Sequence, residues 1–265
     1  MEFKFANLSS GSSGNASYIE TKHSKVLVDA GFCGRKLEEL LDKINIKGEE
    51  IDAIFITHEH SDHMKGAGVL SRKYNIPILA NEKTWMAMDR KIGKIKDENI
   101  LVFRNDYDFN YRDLNVHPVS TYHDCAQSCG YIFYGNKKKV SIVTDTGMID
   151  DNIIQKITGS DLYLFEANHD IDLLQTGNYP YHLKQRIFSN KGHLSNIDAA
   201  AFLSEALVGK GEQIFLAHLS QDNNRPDLAF STVNDYLTDL GFDTKRDIHL
   251  EIANRHFPNG PVEIK

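Results

Sequence analysis

Short apolar runs separated by polar turns dominate the chain, and most are too short to be helices. Residues 3–8, 16–21, 25–29, 51–57, 76–80, 100–103, 115–119, 130–134, 139–144, 162–166, 213–217 and 248–252 read as strands. In each, β-branched, aromatic or other apolar residues sit between clusters of Gly, Asn, Asp and Ser. Other stretches space their apolar positions by three and four, as helices do. Residues 34–44 place Leu37, Leu40, Leu41 and Ile44 on one face, and 64–74, 82–92, 149–157, 181–189, 197–208 and 228–240 share that spacing. In the stretch 82–92, Trp85, Met86 and Met88 are expected to pack. Residues 130–144 are expected to form a hairpin turning about Gly135-Asn136. There is no short-period repeat, low-complexity tract or Pro-rich linker. Strands and helices mixed in this way predict an α/β chain, two sheets with helices outside, in one domain over 1–265.

Composition changes that picture little. Hydrophobic residues make up 41% and charged residues 25% of the 265, ordinary for a globular chain. No stretch approaches the roughly 20 apolar residues of a membrane span. Residues 1–6 lack a basic segment followed by an apolar one, so no secretory signal is expected. Three cysteines, Cys33, Cys125 and Cys129, form no paired framework and fit a reducing compartment. A cytoplasmic location is the resulting expectation. Cys125 and Cys129 lack zinc-knuckle spacing and read as buried thiols. A net charge of −7 argues against a surface coated in basic patches, but leaves room for a nucleic acid held by metal ions and a few local cations.

The chemistry concentrates in Thr57-His58-Glu59-His60-Ser61-Asp62-His63, which follows the apolar run 54–56. Alternation along an extended chain puts His58 and His60 on one side. Asp62 and His63 open the next element and point in different directions. Imidazole and carboxylate are the ligands that Zn²⁺ and related divalent ions accept. Three more polar residues follow strands: His123 after 116–121, Asp145 after 141–144 and His218 after 214–217. Strand ends gather at one edge of a sheet, so ligands there converge. His23, His117, His249 and His256 lack such context and read as structural or solvated. Upstream, the Gly/Ser-rich loop Ser9–Asn15 reads either as a flexible turn or as a loop that approaches an anion closely.

The His-x-His-x-Asp-His motif resembles that of the metallo-β-lactamase-fold hydrolases, and the order of His123, Asp145 and His218 extends the resemblance over nearly the whole chain. The resemblance implies a four-layer αββα sandwich and two divalent metal ions, zinc or manganese. It implies His58, His60 and His123 on one ion, Asp62, His63 and His218 on the other, and Asp145 bridging both. Paired cations lower the pKa of a shared water and take up charge on the attacked centre. Asp29, Glu59 and Thr144 are candidates for orienting the ligands.

Further segments narrow the branch. Gly192-His193-Leu194-Ser195-Asn196 resembles the Gly-His segment of the nuclease branch, and Glu166 its acidic residue after the Asp ligand. His193 is then implied as general acid or phosphate contact, with Glu166 as its partner and Asp62 in the same catalytic set. Residues 146–192 are too few for the cap domain of RNase J-like enzymes. With Ser10–Asn15, His123-Asp124, residues 166–170 and residues 218–224, the chain is more similar to the YycJ/WalJ type, which is associated with metal-dependent exonuclease activity on DNA. Ser12, Asn15, Asn168, Lys184, Arg186 and Ser195 are the substrate-binding candidates; Lys184, Arg186 and Lys191 would meet phosphates. Tyr179, Tyr181 and His182 either stack a base or pack the domain, and Lys137-Lys138-Lys139 reads as a solvated tip. The expected function is a phosphodiesterase on DNA, rather than RNA, cutting 5′ to 3′ from an end. The rivals are a glyoxalase II-like thioesterase or lactonase on the same fold and a non-enzymatic metal-stabilised module. Protein partners are not indicated.

Overall fold

A computed structural model describes residues 3–244 and 246–264; Met1, Glu2, Lys245 and Lys265, which the 1–265 span and the reading of residues 1–6 include, lie outside the described residues. The first half contributes β1 (Lys4–Ser9), β2 (Ala16–Glu20), β3 (Lys25–Val28), α1 (Gly34–Asp42), β4 (Ala53–Phe55), α2 (Ser61–Met64), α3 (Ala67–Tyr74), β5 (Ile78–Asn81), α4 (Glu82–Ile92) and β6 (Ile100–Phe103). There follow β7 (Phe109–Tyr111), β8 (Leu114–Ser120), β9 (Cys129–Gly135), β10 (Lys138–Val143), α5 (Asp151–Ile157), β11 (Leu162–Glu166), α6 (Ile171–Thr176), α7 (Tyr181–Ile187), α8 (Asn196–Ala206), β12 (Glu212–Ala217), α9 (Pro226–Asp239), β13 (Ile248–Ile252) and β14 (Asn259–Glu263). One sheet has the order β14-β1-β2-β3-β4-β5-β6, the other β13-β12-β11-β10-β9-β8-β7.

Alternate residues of a strand enter different cores, and that builds the layers. Leu27 of β3 and Ile54 of β4 pack with Leu37, Leu40 and Leu41 of α1. Their neighbours Val26, Val28 and Phe55 face the other way, into a core shared with Tyr131, Phe133 and Phe215 of the second sheet. On that sheet Tyr163 and Leu216 point outward again, onto Leu203 of α8 and Val233 of α9. Three cores between four layers give helix, sheet, sheet, helix. Both faces of each sheet are covered, which is why so many strands read as continuous apolar runs.

The structure departs from the sequence reading where side chains carry little signal. The strands β7 and β14 and the helix α6 were not expected. Residues 259–263 are largely polar, and β14 exists because β1 offers its free edge, pairing Lys4 with Glu263 and Phe5 with Val262. The expected helix 64–74 begins earlier, at Ser61, and is interrupted around Gly66. Met86 is 74% exposed rather than packed, whereas Trp85 and Met88 are buried as expected. The hairpin turns at Asn136 and Lys137, both with positive φ (49° and 61°), as a two-residue primed turn requires.

Candidate metal centre

The strands set the site by their direction. β3, β4 and β5 are mutually parallel, as are β10, β11 and β12. β8 and β10 both run antiparallel to β9, so β8 points the same way as β10. His58 and His60 follow β4, His123 follows β8, Asp145 follows β10, Glu166 ends β11 and His218 follows β12. Asp62 and His63 come from α2. Three residues here, Asp29, Asp145 and His218, hold the left-handed backbone conformation with φ of 63°, 56° and 55°. Such residues cost on the order of 1 kcal/mol or more each and persist where the surroundings over-determine them, often at functional sites. Gly31 is needed nearby for a different reason: a Cβ there would lie 1.8 Å from the Asp62 carbonyl oxygen.

The candidate ligands form overlapping groups whose nitrogen and oxygen atoms lie within 4.8 Å of one another: His58 with His60 and His123; Asp62 with His63 and His218; His58 with His63 and Asp145. Asp145 stands between them. Its Oδ2 is 3.3 Å from His63 Nε2, and its Oδ1 is 3.5 Å from His218 Nε2 and 3.8 Å from His123 Nε2.

Most of the rings are held from behind. His63 Nδ1 donates to Asp29 Oδ2 at 2.7 Å, His218 Nδ1 to Glu166 Oε1 at 3.0 Å and His123 Nδ1 to the Gly192 carbonyl at 3.2 Å. Thr57 donates its hydroxyl hydrogen to Asp29 and receives His58 Nδ1–H at 3.0 Å. His58, His123 and His218 then turn a lone pair on Nε2 to the centre, while His63 Nε2 also meets the Asn15 amide at 3.0 Å. Among the described residues, His58 Nε2, His218 Nε2 and Asp145 Oδ2 are buried with no hydrogen-bond partner. Buried polar atoms are rarely left so, and a carboxylate or carbonyl behind each imidazole is the arrangement metal sites use. The residues therefore fit divalent cations.

Electrostatics points the same way. Burial is the largest influence on His58 and, with neighbouring imidazoles, holds it well below the ordinary histidine range. Burial also opposes charge on His63, but Asp145 and Asp29 outweigh it and push its pKa up to about 9. His218 is likewise raised, against burial, by Asp145, Asp62 and Glu166. Burial would raise Asp62, yet the nearby His218, its Nε2 3.9 Å from Oδ2, and the charge of His63 hold it low. A crowd of buried carboxylates attracts positive charge; bound cations would supply it in place of protons.

Glu166 is fully buried, and burial alone would raise its pKa, but His193 and His218 hold it low. Its Oε1 accepts His193 Nδ1 at 2.7 Å, and its Oε2 accepts Thr146 N at 3.0 Å. With both oxygens engaged, it orients two rings. His193, with Asp62, Ser12, Asn168, Arg186 and Tyr179, lines a cavity of about 290 Å³ over the cluster.

Other candidates fall elsewhere. Asn15 is buried beneath the loop, its amide 3.0 Å from His63 Nε2 and its carbonyl accepting Gly11 N. Ser195 is buried and caps α8, accepting Asp198 N at 3.1 Å. Lys184 points its ammonium at the Gln175 carbonyl, 2.8 Å away, and does not line the cavity. Arg186 does line it, but its guanidinium is paired with both carboxylate oxygens of Asp124. Asn168 donates to the His218 carbonyl at 2.7 Å. Of the proposed orienting residues, Asp29 holds His63, whereas Glu59 turns to accept Ala126 N at 2.8 Å. Three contributors carry no ligand signature in the sequence: Thr57 behind His58, the Gly192 carbonyl behind His123 and Ser220 in the cavity wall. Thr57 precedes a ligand directly, and that adjacency was the available signal.

Fold and site together define a metallo-β-lactamase-fold protein of the metal-dependent hydrolase class. The chain belongs to the β-lactamase superfamily domain family, whose model matches residues 24–218. It is 40% identical to the exodeoxyribonuclease YycJ of Bacillus anthracis over 242 residues, covering 91% of this chain and 92% of that protein. It is 43% identical to the exodeoxyribonuclease WalJ of Streptococcus pneumoniae serotype 2 over 243 residues, covering 90% of each. The metallo-β-lactamase fold protein YhfI of Bacillus subtilis superposes with a TM-score of 0.75 at 17% identity, covering 98% of this chain and 99% of that one. Among the described residues no helix is long and apolar enough to cross a membrane.

Proposed function

We propose that this protein is a dinuclear metal-dependent phosphodiesterase that degrades DNA from an end, 5′ to 3′, as one domain spanning 1–265 in the cytoplasm. The observation that carries the reading is the set of inward-facing Nε2 atoms around Asp145, backed by buried acceptors. The two relatives named as exodeoxyribonucleases support DNA as the substrate class. His58, His60 and His123 would hold one ion, Asp62, His63 and His218 the other, and Asp145 both; zinc and manganese suit these ligands. When bound, such ions supply an activated water and neutralise charge on the phosphoryl group.

The chain's own residues do the rest. Glu166 takes His193 Nδ1–H, which fixes the ring and leaves Nε2 for the substrate. A proton on that Nε2 passes to the leaving oxygen as the P–O bond breaks, and the Glu166 carboxylate stabilises the imidazolium before transfer. Asn168 steadies the His218 main chain, and Ser12 and Arg186 border the path of the phosphate.

The test offers single- and double-stranded DNA labelled at either end, RNA, and a thioester to the Mn²⁺- or Zn²⁺-loaded protein and to Asp145→Ala. Expected are progressive shortening of DNA from its 5′ end by the wild type and loss of that activity in the variant. Intact DNA of every end structure, with turnover of the thioester, overturns the reading in favour of a small-molecule hydrolase.

A further inference from the structure

A second cavity, of about 390 Å³, adjoins the metal centre along the same sheet edge. It opens beyond the ends of β12 and β13, while the metal cavity opens beyond β10, β11 and β12. In register, Glu166 pairs with Ala217 and Leu216 with Ile252, so the two openings lie side by side. Neighbouring strands are about 4.8 Å apart, which puts the cavities roughly one or two strand spacings from each other. Ser220 lines both. The wall between them is the loop 10–12, whose Ser10 faces the second cavity and Ser12 the first. Ser10 also accepts the His218 backbone N–H at 2.8 Å, so the wall is fastened to a candidate ligand.

The lining is of two kinds. Leu219, Pro226, Ile252 and Ala253 make an apolar surface, while Gln221, Asn224, Asn254, Arg255 and His256, with the two serines, make the polar part. Arg255 is the telling residue. Its Nη2 donates to the Leu219 carbonyl and its Nη1 to Gln221 Oε1 at 3.2 Å, both neutral acceptors. Among the described residues it forms no ion pair, unlike Arg186 with Asp124 or Arg112 with Asp52. Asp222 acts on it, but only at longer range, and that carboxylate accepts the Tyr179 hydroxyl at 2.8 Å. The guanidinium lies flat on the loop: a Cβ on Gly11 would come within 3.2 Å of Arg255 Cζ. An anchored guanidinium with donors to spare and no carboxylate, beside an apolar surface, matches a phosphate joined to a base.

We infer that this cavity is a subsite for the nucleotide next to the scissile phosphate, with Arg255 on its phosphate and the Leu219–Ile252 surface under its base. The inference rests on the nuclease reading and adds to it a residue that selects polynucleotides over small phosphodiesters. The polynucleotide chain passes over the Ser220 saddle, one nucleotide in each cavity.

Metal-loaded wild type is offered a dinucleotide, a trinucleotide and bis(p-nitrophenyl) phosphate. A trinucleotide, which carries beyond the scissile phosphate a second one for Arg255, should be cleaved with kcat/KM about tenfold above the dinucleotide, the gain expected of one charged phosphate contact. Arg255→Gln should erase that step, and Arg255→Lys should restore part of it. In a binding assay with metal-free protein and a fluorescent single strand, Arg255→Gln should flatten the dependence of log affinity on log salt by about 0.7. Equal kcat/KM for the two oligonucleotides in the wild type, which needs no variant to fold, overturns the subsite. So does an Arg255→Gln protein that keeps the trinucleotide advantage and the salt slope. If the wild type cleaves bis(p-nitrophenyl) phosphate but no oligonucleotide, the nuclease reading itself falls and the subsite with it.

Discussion

Asp29 shows how much of the site depends on residues that never face the cavity. It accepts His63 Nδ1, the Thr57 amide and the Thr57 hydroxyl, and through Thr57 it also fixes His58. Asp29→Asn keeps the size and tolerates the positive φ, but weakens the acceptor behind two imidazoles. Metal affinity measured by chelator competition should fall roughly 10- to 100-fold, the usual effect of losing such a partner. His193 makes a different prediction. If its Nε2 protonates the leaving oxygen, His193→Gln should slow cleavage of a nucleotide diester by roughly 10²-fold or more. Loss on a p-nitrophenyl ester, whose leaving group needs no proton, should be much smaller. Equal losses on the two substrates would remove His193 from the proton path and leave it a positioning role.

At the scale of elements, turns and strand ends carry the precision. α2 is a single turn, yet it brings Asp62 and His63 against the end of β3, because the Asp62 carbonyl accepts Asn15 N–H at 2.8 Å beside Gly31 and the His63 carbonyl accepts Ala30 N–H at 2.7 Å. Gly31→Ala forces its Cβ into the Asp62 carbonyl. Strain of this kind costs about 1–3 kcal/mol, and a thermal melt should show it together with weaker metal binding. The β-strands were legible because both faces are covered and apolar residues mark them. β7 and β14 were not: β7 has three residues and β14 is Asn, Gly, Pro, Val and Glu, so the neighbouring strand's backbone rather than a side-chain pattern defines them.

Across the whole molecule, Asp113 ties one sheet to the other. From the β7–β8 turn it accepts the hydroxyls of Thr21 and Ser24 and the amide of His23, all in the β2–β3 hairpin. Burial would raise its pKa, but these bonds hold it below the ordinary aspartate value. A carboxylate held low in the folded state stabilises at pH above its unfolded pKa of about 3.9, and that contribution fades as pH falls towards the folded value. Asp113 is exposed and its charge screened by solvent, so Asp113→Asn should lower stability at neutral pH by about 0.2–1 kcal/mol in denaturant titrations. The difference from wild type should shrink below about pH 4. A constant difference at all pH values would show that the tie is not electrostatic.

The sequence by itself determined the layers and the candidate ligands. Alternation along strands such as 213–217 fixes which side chains enter which core, and His58, His60, Asp62 and His63 lie close because they are close in the chain. The distant members, His123, Asp145 and His218, were legible because each follows an apolar strand and strand ends share an edge. Tertiary structure decided what stands behind and around them. Asn15 braces where it was expected to touch substrate, Ser195 caps a helix, and Lys184 faces a carbonyl. Spacing along a chain gives position on an element, but a side chain's partner is set by whatever atom the packed fold brings within about 3 Å. For Arg255, more than 240 positions beyond the Gly11 backbone it lies on, only the folded chain supplies that neighbour.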